Sequence, residues 1–236
     1  MSIKVSAEEL LESGAHFGHQ ARRWNPKMSA YLYGTQDGVH VFDLIKTKEA
    51  LEEALNFLTE SAKEGKVILF VGCKKQASGK TKEVAEATGS PYFVERWLGG
   101  TLTNFEQIGK SIKKLAGMKE NMATGEYASF TKKERLLIDR EIARLERFFG
   151  GISSLSKIPD VLVVIDTHKE SGAVREAKSK GIMVVGIVDS NADPTLIDYP
   201  IPMNDDATKA IGYVLDLIKE AILEGRGKSE KGKTKK

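Results

Sequence analysis

The order of apolar runs along the chain predicts strands that alternate with helices. Two uninterrupted β-branched runs, Val161–Ile165 and Met183–Val188, are typical of strands that are covered on both faces of a sheet. Further strands are predicted at 67–71 and 92–94, and helices at 47–63, 74–87, 171–178 and 206–223. Because strands and helices in alternation form right-handed crossovers, the pattern predicts an α/β fold with a parallel, doubly wound sheet.

Two long helical patterns interrupt this alternation between residues 105 and 149. Apolar residues recur every three or four positions, first at Phe105, Ile108, Ile112, Leu115, Met118 and Met122, and then at Ile138, Ile142, Leu145 and Phe149. Thr131 and Glu134 have the spacing of a capping box at the start of the second pattern. The segment is therefore predicted to be an inserted antiparallel coiled-coil helical hairpin. Its charged outer positions fit either a solvated face or a binding surface.

The rest of the chain is predicted to form one discontinuous α/β domain from residues 1–104 and 150–224. A capping box at Ser6 and Glu9 predicts a short helix that ends at Ser13. Residues 16–44 contain Gly, Pro and Asn-Pro breakers without a sustained period, so an irregular N-terminal extension is expected. Residues 225–236, GRGKSEKGKTKK, hold six Lys or Arg against one Glu and no apolar side chain. This composition predicts a disordered basic tail, which either improves solubility or tethers a polyanion.

Composition narrows the class of protein. The 236 residues are 41% hydrophobic, which is enough for a buried core, and no apolar run is long enough to span a membrane. The first residues lack the apolar stretch of a signal peptide, and the single cysteine, Cys73, cannot form an internal disulfide, so a cytoplasmic protein is expected. The net charge is +3 and the tail carries +5, which leaves −2 for residues 1–224. Any contact of the folded part with a polyanion must therefore come from local patches.

One stretch, VGCKKQASGKT, resembles a phosphate-binding loop. Its end, Gly79-Lys80-Thr81, fits the motif, but position 74, where the first glycine should fall, is Lys. The alternative is a strand, a short turn and a helix that begins near Lys74. The second interpretation is preferred.

Residues that could form a catalytic or metal site occur at the carboxyl ends of the strands and in the N-terminal segment. Asp166 with His168 could act as acid and base, and Asp189 as a base or metal ligand, although Asp at a strand end commonly caps the next helix. His16 and His19 are spaced as metal ligands on a helix, but the neighbouring glycines make a helix there doubtful. We expect no catalytic residue, no metal site and no cofactor.

Basic residues next to tryptophan point to nucleic acid. ARRWNPKM, residues 21–28, combines Arg22, Arg23 and Lys27 with Trp24, and ERWLGGTLTNF, residues 95–105, repeats the pairing at Arg96 and Trp97. Arginine with an aromatic ring is the chemistry of phosphate and base contacts in RNA. The alternative for each tryptophan is that it anchors its loop to the core.

The same segments resemble a known family. The runs LLESGAHFGHQARRWNPKMSAYLYGTQDGVHVFDLIKT, ERWLGGTLTNF and DVLVVIDTHKESGAVREAKSKGIMVVGIVDSNADPTLIDYPIPMNDDATKAI are similar to the universal S-two family of small-subunit ribosomal proteins, in its bacterial or organellar branch. The resemblance covers about residues 5–222. It implies a flavodoxin-like sheet flanked by helices with an inserted coiled-coil hairpin, and no catalysis.

The resemblance also implies a function and partners. It implies a structural component of the small ribosomal subunit that binds ribosomal RNA, supports subunit assembly and translation, and contacts neighbouring ribosomal proteins. In bacteria it implies recruitment of the multi-OB-fold protein that captures messenger RNA. No membrane and no small-molecule substrate are expected. The expected RNA-binding residues are Arg22, Arg23, Trp24, Lys27, Lys74, Lys75, Arg96, Trp97, Lys110, Lys113 and Lys114.

The alternative function is an α/β enzyme that uses the strand-end carboxylates and dimerises through its hairpin. It predicts a small-molecule ligand near Gly72, Asp166 and Asp189 and no requirement for RNA. A nucleotide or metabolite that raises the melting temperature would support it.

Overall fold

A five-stranded parallel sheet forms the centre of the molecule, as the sequence predicts. The computed structural model describes the backbone of residues 4–233 and the side chains of residues 4–227. The strands are β4 (Ile68–Val71), β5 (Tyr92–Phe93), β6 (Val161–Ile165), β7 (Met183–Val188) and β8 (Tyr199–Pro202), in the order β5-β4-β6-β7-β8. Their numbers begin at four because three earlier strands form a separate sheet. Every neighbouring pair in this sheet is parallel.

Helices cover both faces of this sheet. They are α1 (Ala7–Glu12), α2 (Leu44–Lys63), α3 (Lys75–Ala87), α4 (Phe105–Ala123), α5 (Lys132–Phe149), α6 (Ser171–Ser179) and α7 (Thr208–Lys233). Two apolar cores result, one on each face, because side chains alternate along β4. Ile68 and Phe70 belong to the core formed with α2, α3 and α7. Leu69 belongs to the core formed with α6 and the base of α4 and α5. All four residues of β4 are buried, which explains why its sequence is continuously apolar.

Strand β8 was not predicted. Its sequence, YPIP, has prolines at 200 and 202, which argue against a strand. In the structure β8 lies at the edge of the sheet and pairs only with β7, with Val185 opposite Tyr199 and Ile187 opposite Ile201. An edge strand tolerates prolines because one row of its N–H groups needs no partner.

The expected irregular N-terminal extension is wrong in part, because it contains a second sheet. Strands β1 (Phe17–Gln20), β2 (Leu32–Gln36) and β3 (Val39–Phe42) form an antiparallel sheet in the order β1-β3-β2. Asp37 and Gly38 form the turn between β2 and β3 with φ of 50° and 76°. An Asp-Gly pair with both φ angles positive is a strong hairpin signal, and it is the signal that the sequence analysis missed.

The helices α4 and α5 form the predicted insertion. A 3-10 turn at Glu126–Ser129 joins them, and α5 returns alongside α4, with ion pairs between Lys114 and Glu141 and between Lys119 and Glu146. The predicted capping box is confirmed, since Glu134 accepts the backbone N–H of Thr131 at 2.8 Å. Whether the two helices supercoil as a coiled coil remains a prediction.

The tail prediction is wrong for its first part. Helix α7 continues through Lys233, and Arg226 donates a hydrogen bond to Ser90 Oγ at 3.1 Å. Gly225 lies against α2, where a Cβ atom would come within 2.8 Å of the Ala62 Cβ. Helix packing therefore continues into a segment whose composition alone predicts disorder. Residues 234–236 lie outside the described residues.

The P-loop interpretation is excluded by the position of its residues. Gly79, Lys80 and Thr81 lie inside α3, and Thr81 is buried. Lys80 pairs with Glu83 and Asp216 at 2.8 and 3.0 Å.

Among the helices of the described chain, none is long and apolar enough to cross a membrane.

The contact between α7 and α2 makes a prediction about two glycines of one helix. Gly225→Ala should lower the free energy of unfolding by about 1–3 kcal/mol because its methyl group overlaps α2. Gly212→Ala, in the same helix with open space around it, should raise it by about 0.5–1 kcal/mol. Urea unfolding of both variants measures the difference, and equal effects would show that α7 does not pack closely on α2 at Gly225.

Candidate RNA-binding surface

The loop that carries Arg22, Arg23 and Trp24 is held at the carboxyl edge of the parallel sheet. Two 3-10 turns, Ala21–Arg23 and Pro26–Tyr31, shape it. Between them the N–H of Asn25 donates to Ser190 O at 2.7 Å, which fixes the loop to the end of β7. The loop is thus a rigid element despite its irregular sequence.

Close approach to Ser190 explains the glycine of the HFGHQ stretch. A Cβ atom at Gly18 would lie 2.9 Å from Ser190 Oγ and 3.2 Å from His40 O. The neighbouring His19 N–H donates to the same Ser190 oxygen at 2.8 Å. Strand β1 can therefore lie on the end of β7 only if position 18 has no side chain.

The side chains of this loop are accessible to different degrees. Arg22 and Arg23 are exposed, and Arg22 Nε donates only to the neighbouring Gln20 at 2.9 Å. Trp24 is 37% exposed and its ring lies 4.9 Å from the His40 ring, centroid to centroid. One part of the indole is thus braced by His40 and the rest remains open to a ligand.

Lys27 is exposed but already has an anionic partner. Its Nζ lies 2.7 Å from Asp193 Oδ2 and 3.3 Å from Thr195 Oγ1. Hydrogen bonds from Lys27 and Thr195 lower the pKa of Asp193 to about 2. A phosphate would therefore compete with Asp193 for this ammonium group.

The assignment of Trp97 as an RNA contact is wrong, because its side chain is buried. Its indole N–H donates to Glu176 Oε1 at 3.1 Å, and Glu176 also accepts the backbone N–H groups of Gly100, Leu102 and Thr103. Burial disfavours a charge there, but the hydrogen bonds from Gly100, Thr103, Trp97 and Leu102 lower the pKa of Glu176. Trp97 thus braces the loop, which was the alternative considered for it. Arg96 beside it is exposed.

The assignment of Lys74 is also wrong. Its side chain is only 12% exposed, and its Nζ lies 2.6 Å from Asp205 Oδ1, 2.6 Å from Asp206 Oδ1 and 3.4 Å from Asp166 Oδ2. The ammonium group is saturated by carboxylates of its own chain. Its neighbour Lys75 is exposed and forms no ion pair with another described residue.

The three hairpin lysines differ from one another. Lys110 pairs with Glu106 at 3.2 Å and Lys114 with Glu141 at 2.9 Å, both on the surface. Lys113 is exposed and, within the described part of the chain, pairs with no acid.

A cluster of acidic residues at the same edge of the sheet was only partly anticipated. Asp166 and Asp189 follow β6 and β7, as the sequence indicates, but Asp205 and Asp206, after β8, were not considered. Because the carboxyl ends of parallel strands meet at one edge, recognising β8 would have placed all four together. Asp189 and Asp205 are completely or almost completely buried.

Lys74 and His19 provide the positive charge of this cluster. His19 Nδ1 lies 3.0 Å from Asp189 Oδ1, whose second oxygen accepts the Asp205 N–H at 3.1 Å. Four carboxylates face these two groups, and burial together with repulsion from Asp189 and Asp166 raises the pKa of Asp205. His19, Asp205 and Asp206 each offer one ligand atom, and these atoms lie within 4.8 Å of one another. The Lys74 ammonium group lies 2.6 Å from both Asp205 and Asp206, so a cation of the chain itself already occupies this grouping, which the spacing of His16 and His19 did not predict.

Comparison with known proteins gives one consistent match. The family profile described as Ribosomal protein S2 matches residues 10–225. The chain is 47% identical over 222 residues to the small ribosomal subunit protein uS2 of Coprothermobacter proteolyticus, covering 94% of this chain and 83% of that protein. It is 47% identical over 226 residues to uS2 of Roseiflexus castenholzii, covering 96% and 86%. It is 48% identical over 222 residues to uS2 of a Nitratiruptor species, covering 94% and 83%.

Replacing Lys74 tests whether it is a structural residue. Lys74→Met should lower the free energy of unfolding by about 3 kcal/mol, because it leaves buried carboxylates without their cation. Lys75→Met, at the exposed neighbour, should change it by less than about 0.5 kcal/mol. Urea unfolding of both variants is the measurement. A Lys74→Met protein as stable as the parent would show that the cluster does not need this lysine.

The His19 contact predicts a pH-dependent stability. The hydrogen bond to Asp189, with the nearby charges of Asp189, Asp205 and Asp206, raises the pKa of His19 in spite of its burial. The stabilisation by protonated His19 is therefore complete below the unfolded-state pKa of about 6.5 and is lost as the pH rises through the folded-state value. His19→Gln should destabilise the protein more at pH 6 than at pH 9 in urea unfolding. The exposed His168→Gln is the control, and a His19→Gln effect that is the same at both pH values would contradict the assignment.

Proposed function

Since the chain belongs to the ribosomal protein S2 family and is a structural component of the small ribosomal subunit, we propose that it binds small-subunit ribosomal RNA. The main contact is the N-terminal loop with Arg22, Arg23 and Trp24. The observation that carries the proposal is the combination of exposure and rigidity in this loop. Both arginines are exposed, while the backbone beneath them is tied to Ser190.

Rigidity favours binding because little conformational entropy is lost when RNA arrives. Guanidinium groups form paired hydrogen bonds with phosphates, and the open part of the Trp24 ring can stack on an unpaired base. His40 supports the other part of the ring. The loop thus combines attraction to the RNA backbone with a surface for a base.

Lys75, Arg96 and Lys113 are proposed as secondary phosphate contacts. Each is exposed and none forms an ion pair with another described residue. Lys27, Lys110 and Lys114 can contribute only by exchanging an acidic partner for a phosphate. Such an exchange yields less free energy than a contact by an unpaired cation, so we rank these three lower.

We further propose that the protein supports subunit assembly and contacts other small-subunit proteins in the cytoplasm, including the multi-OB-fold protein that captures messenger RNA. This finer proposal is supported by family membership and not by a particular contact. We also propose that residues 1–104 and 150–224 form one α/β domain with the hairpin, residues 105–149, inserted into it. The apolar core shared by the sheet and the base of the hairpin supports a firmly attached insertion.

An enzymatic function has less support. The relatives are named as ribosomal proteins. The strand-end acids are occupied in internal contacts, and burial, followed by the nearby charge of Glu170, raises the pKa of the Cys73 thiol to about 12, which makes it a poor nucleophile. These internal contacts argue against turnover at the strand ends, and the exposed cations of the N-terminal loop favour positioning of RNA instead.

Neutralising both arginines tests the proposed contact. Arg22→Gln with Arg23→Gln should weaken binding to small-subunit ribosomal RNA and reduce the salt-dependence slope by about 0.7–0.9 for each lost phosphate contact. The matched control is Lys63→Gln with Lys82→Gln, which removes the same charge from exposed positions of α2 and α3. Filter binding of the full chain at several salt concentrations measures both effects. Equal slopes for the two double variants would overturn the assignment of the loop.

A further inference from the structure

The tip of the helical hairpin contains an apolar groove that the proposed RNA contact does not use. It has a volume of about 630 Å³ and lies where α4 ends and α5 begins. Its lining includes Met122, Tyr127, Leu136 and Ile138. Met122 is 52% and Leu136 50% exposed, so large apolar side chains here are accessible to solvent. Adjacent exposed apolar residues of this size commonly mark a protein-binding surface.

The groove continues the apolar seam of the hairpin past the end of the core. At the base, Ile112 and Leu115 of α4 pack with Leu145 and Phe149 of α5 and are buried against the sheet domain. Further out the same seam reaches Met122 and Ile138, where the sheet domain no longer covers it. The sequence therefore maintains an apolar stripe beyond the length that internal packing requires.

The walls of the groove are formed in advance. Gly125, with φ of 79°, ends α4 and allows the chain to turn into the 3-10 segment. There the Tyr127 ring lies 5.5 Å from the Phe130 ring, and Asn121 donates to the Tyr127 hydroxyl at 3.5 Å. On the other side the capping box of Thr131 and Glu134 fixes the start of α5. The groove therefore has its shape before a ligand binds, and binding does not have to order its walls.

The rim of the groove is basic. Lys132 and Arg135 line it together with one acid, Asp139, and neither cation forms an ion pair with another described residue. The nearby Glu134 is turned to the N–H and hydroxyl of Thr131. Unpaired positive charge beside an apolar floor complements a ligand with acidic side chains next to apolar ones.

We propose that this groove docks a segment of another small-subunit protein that presents apolar side chains flanked by Asp or Glu. A helix with an apolar face fits such a groove through side chains at a spacing of three and four residues. RNA would satisfy the cations but would gain little from the floor formed by Met122, Leu136 and Ile138. A second copy of this chain would bring basic rims together. The proposal rests on the place of the protein in the small subunit and is independent of the RNA contact at Arg22 and Arg23.

Site-specific crosslinking in assembled subunits tests the proposal. A photoreactive benzoylphenylalanine is placed at Leu136 of the full chain, small subunits are purified, and the crosslinked partner is mapped by mass spectrometry. The expected product is a protein segment with apolar residues and a net negative charge. Lys132→Glu with Arg135→Glu should lower the yield, normalised to the chain present in subunits, roughly tenfold. Lys63→Glu with Lys82→Glu, at exposed positions of α2 and α3, is the matched charge control and should leave the yield unchanged.

The same reporter at Leu11, which is 53% exposed on α1, controls for nonspecific apolar capture and should not give the same product. A crosslink to RNA, to a second copy of the chain or to a segment without acidic residues would overturn the proposal, as would a yield that does not respond to reversal of the rim charges. Failure of the proposed RNA contact is a separate result. It would appear as unchanged RNA binding by the Arg22→Gln, Arg23→Gln variant, whatever the crosslink at Leu136.

Discussion

The contact of Lys74 with the acids at the carboxyl edge of the sheet is the interaction on which the arrangement of the loops depends. Its ammonium group meets Asp166 after β6 and Asp205 and Asp206 after β8. Lys74 itself follows β4, so one side chain connects the ends of three strands. Repulsion among buried carboxylates would otherwise separate these loops, because charges at this depth are poorly screened. His19 extends the same cluster to the N-terminal sheet through Asp189.

This cluster explains why a protein without catalysis has charged residues where α/β enzymes have active sites. Ligands of open α/β folds bind at this edge because the strand-end loops diverge there. In this chain ion pairs join the ends of β4, β6 and β8, and Gly18 permits the close approach of β1 to Ser190 at the end of β7. The consequence is a firm platform for the loop with Arg22 and Arg23. The edge of the sheet that carries the active site in α/β enzymes here supports the proposed RNA-binding loop.

The sequence predicts the central architecture well and the surface less well. Continuous apolar runs identify β4, β6 and β7 because burial on both faces leaves a strong signal, and β8 escapes because its prolines are acceptable only at an edge. The first residues of the tail have no apolar side chain, yet Gly225 packs closely on α2, since a missing side chain can itself be a packing feature. Trp97 and Lys74 show why RNA-contacting residues are harder to predict from the sequence than strands are. Arg-Trp and Lys-Lys pairs look alike in sequence, and only the positions of Glu176 and Asp205 reveal which members are turned inward.

The central claim is that the rigid N-terminal loop, and not the buried Lys74 cluster, faces ribosomal RNA. Electron cryomicroscopy of small subunits that contain this protein tests it most directly, because side chains and RNA phosphates are seen together. The account predicts density for the guanidinium groups of Arg22 and Arg23 within hydrogen-bond distance of phosphate oxygens, with Lys74 still enclosed by its three carboxylates. A map in which this loop faces solvent, or in which Lys74 has left Asp205 to contact a phosphate, would contradict it.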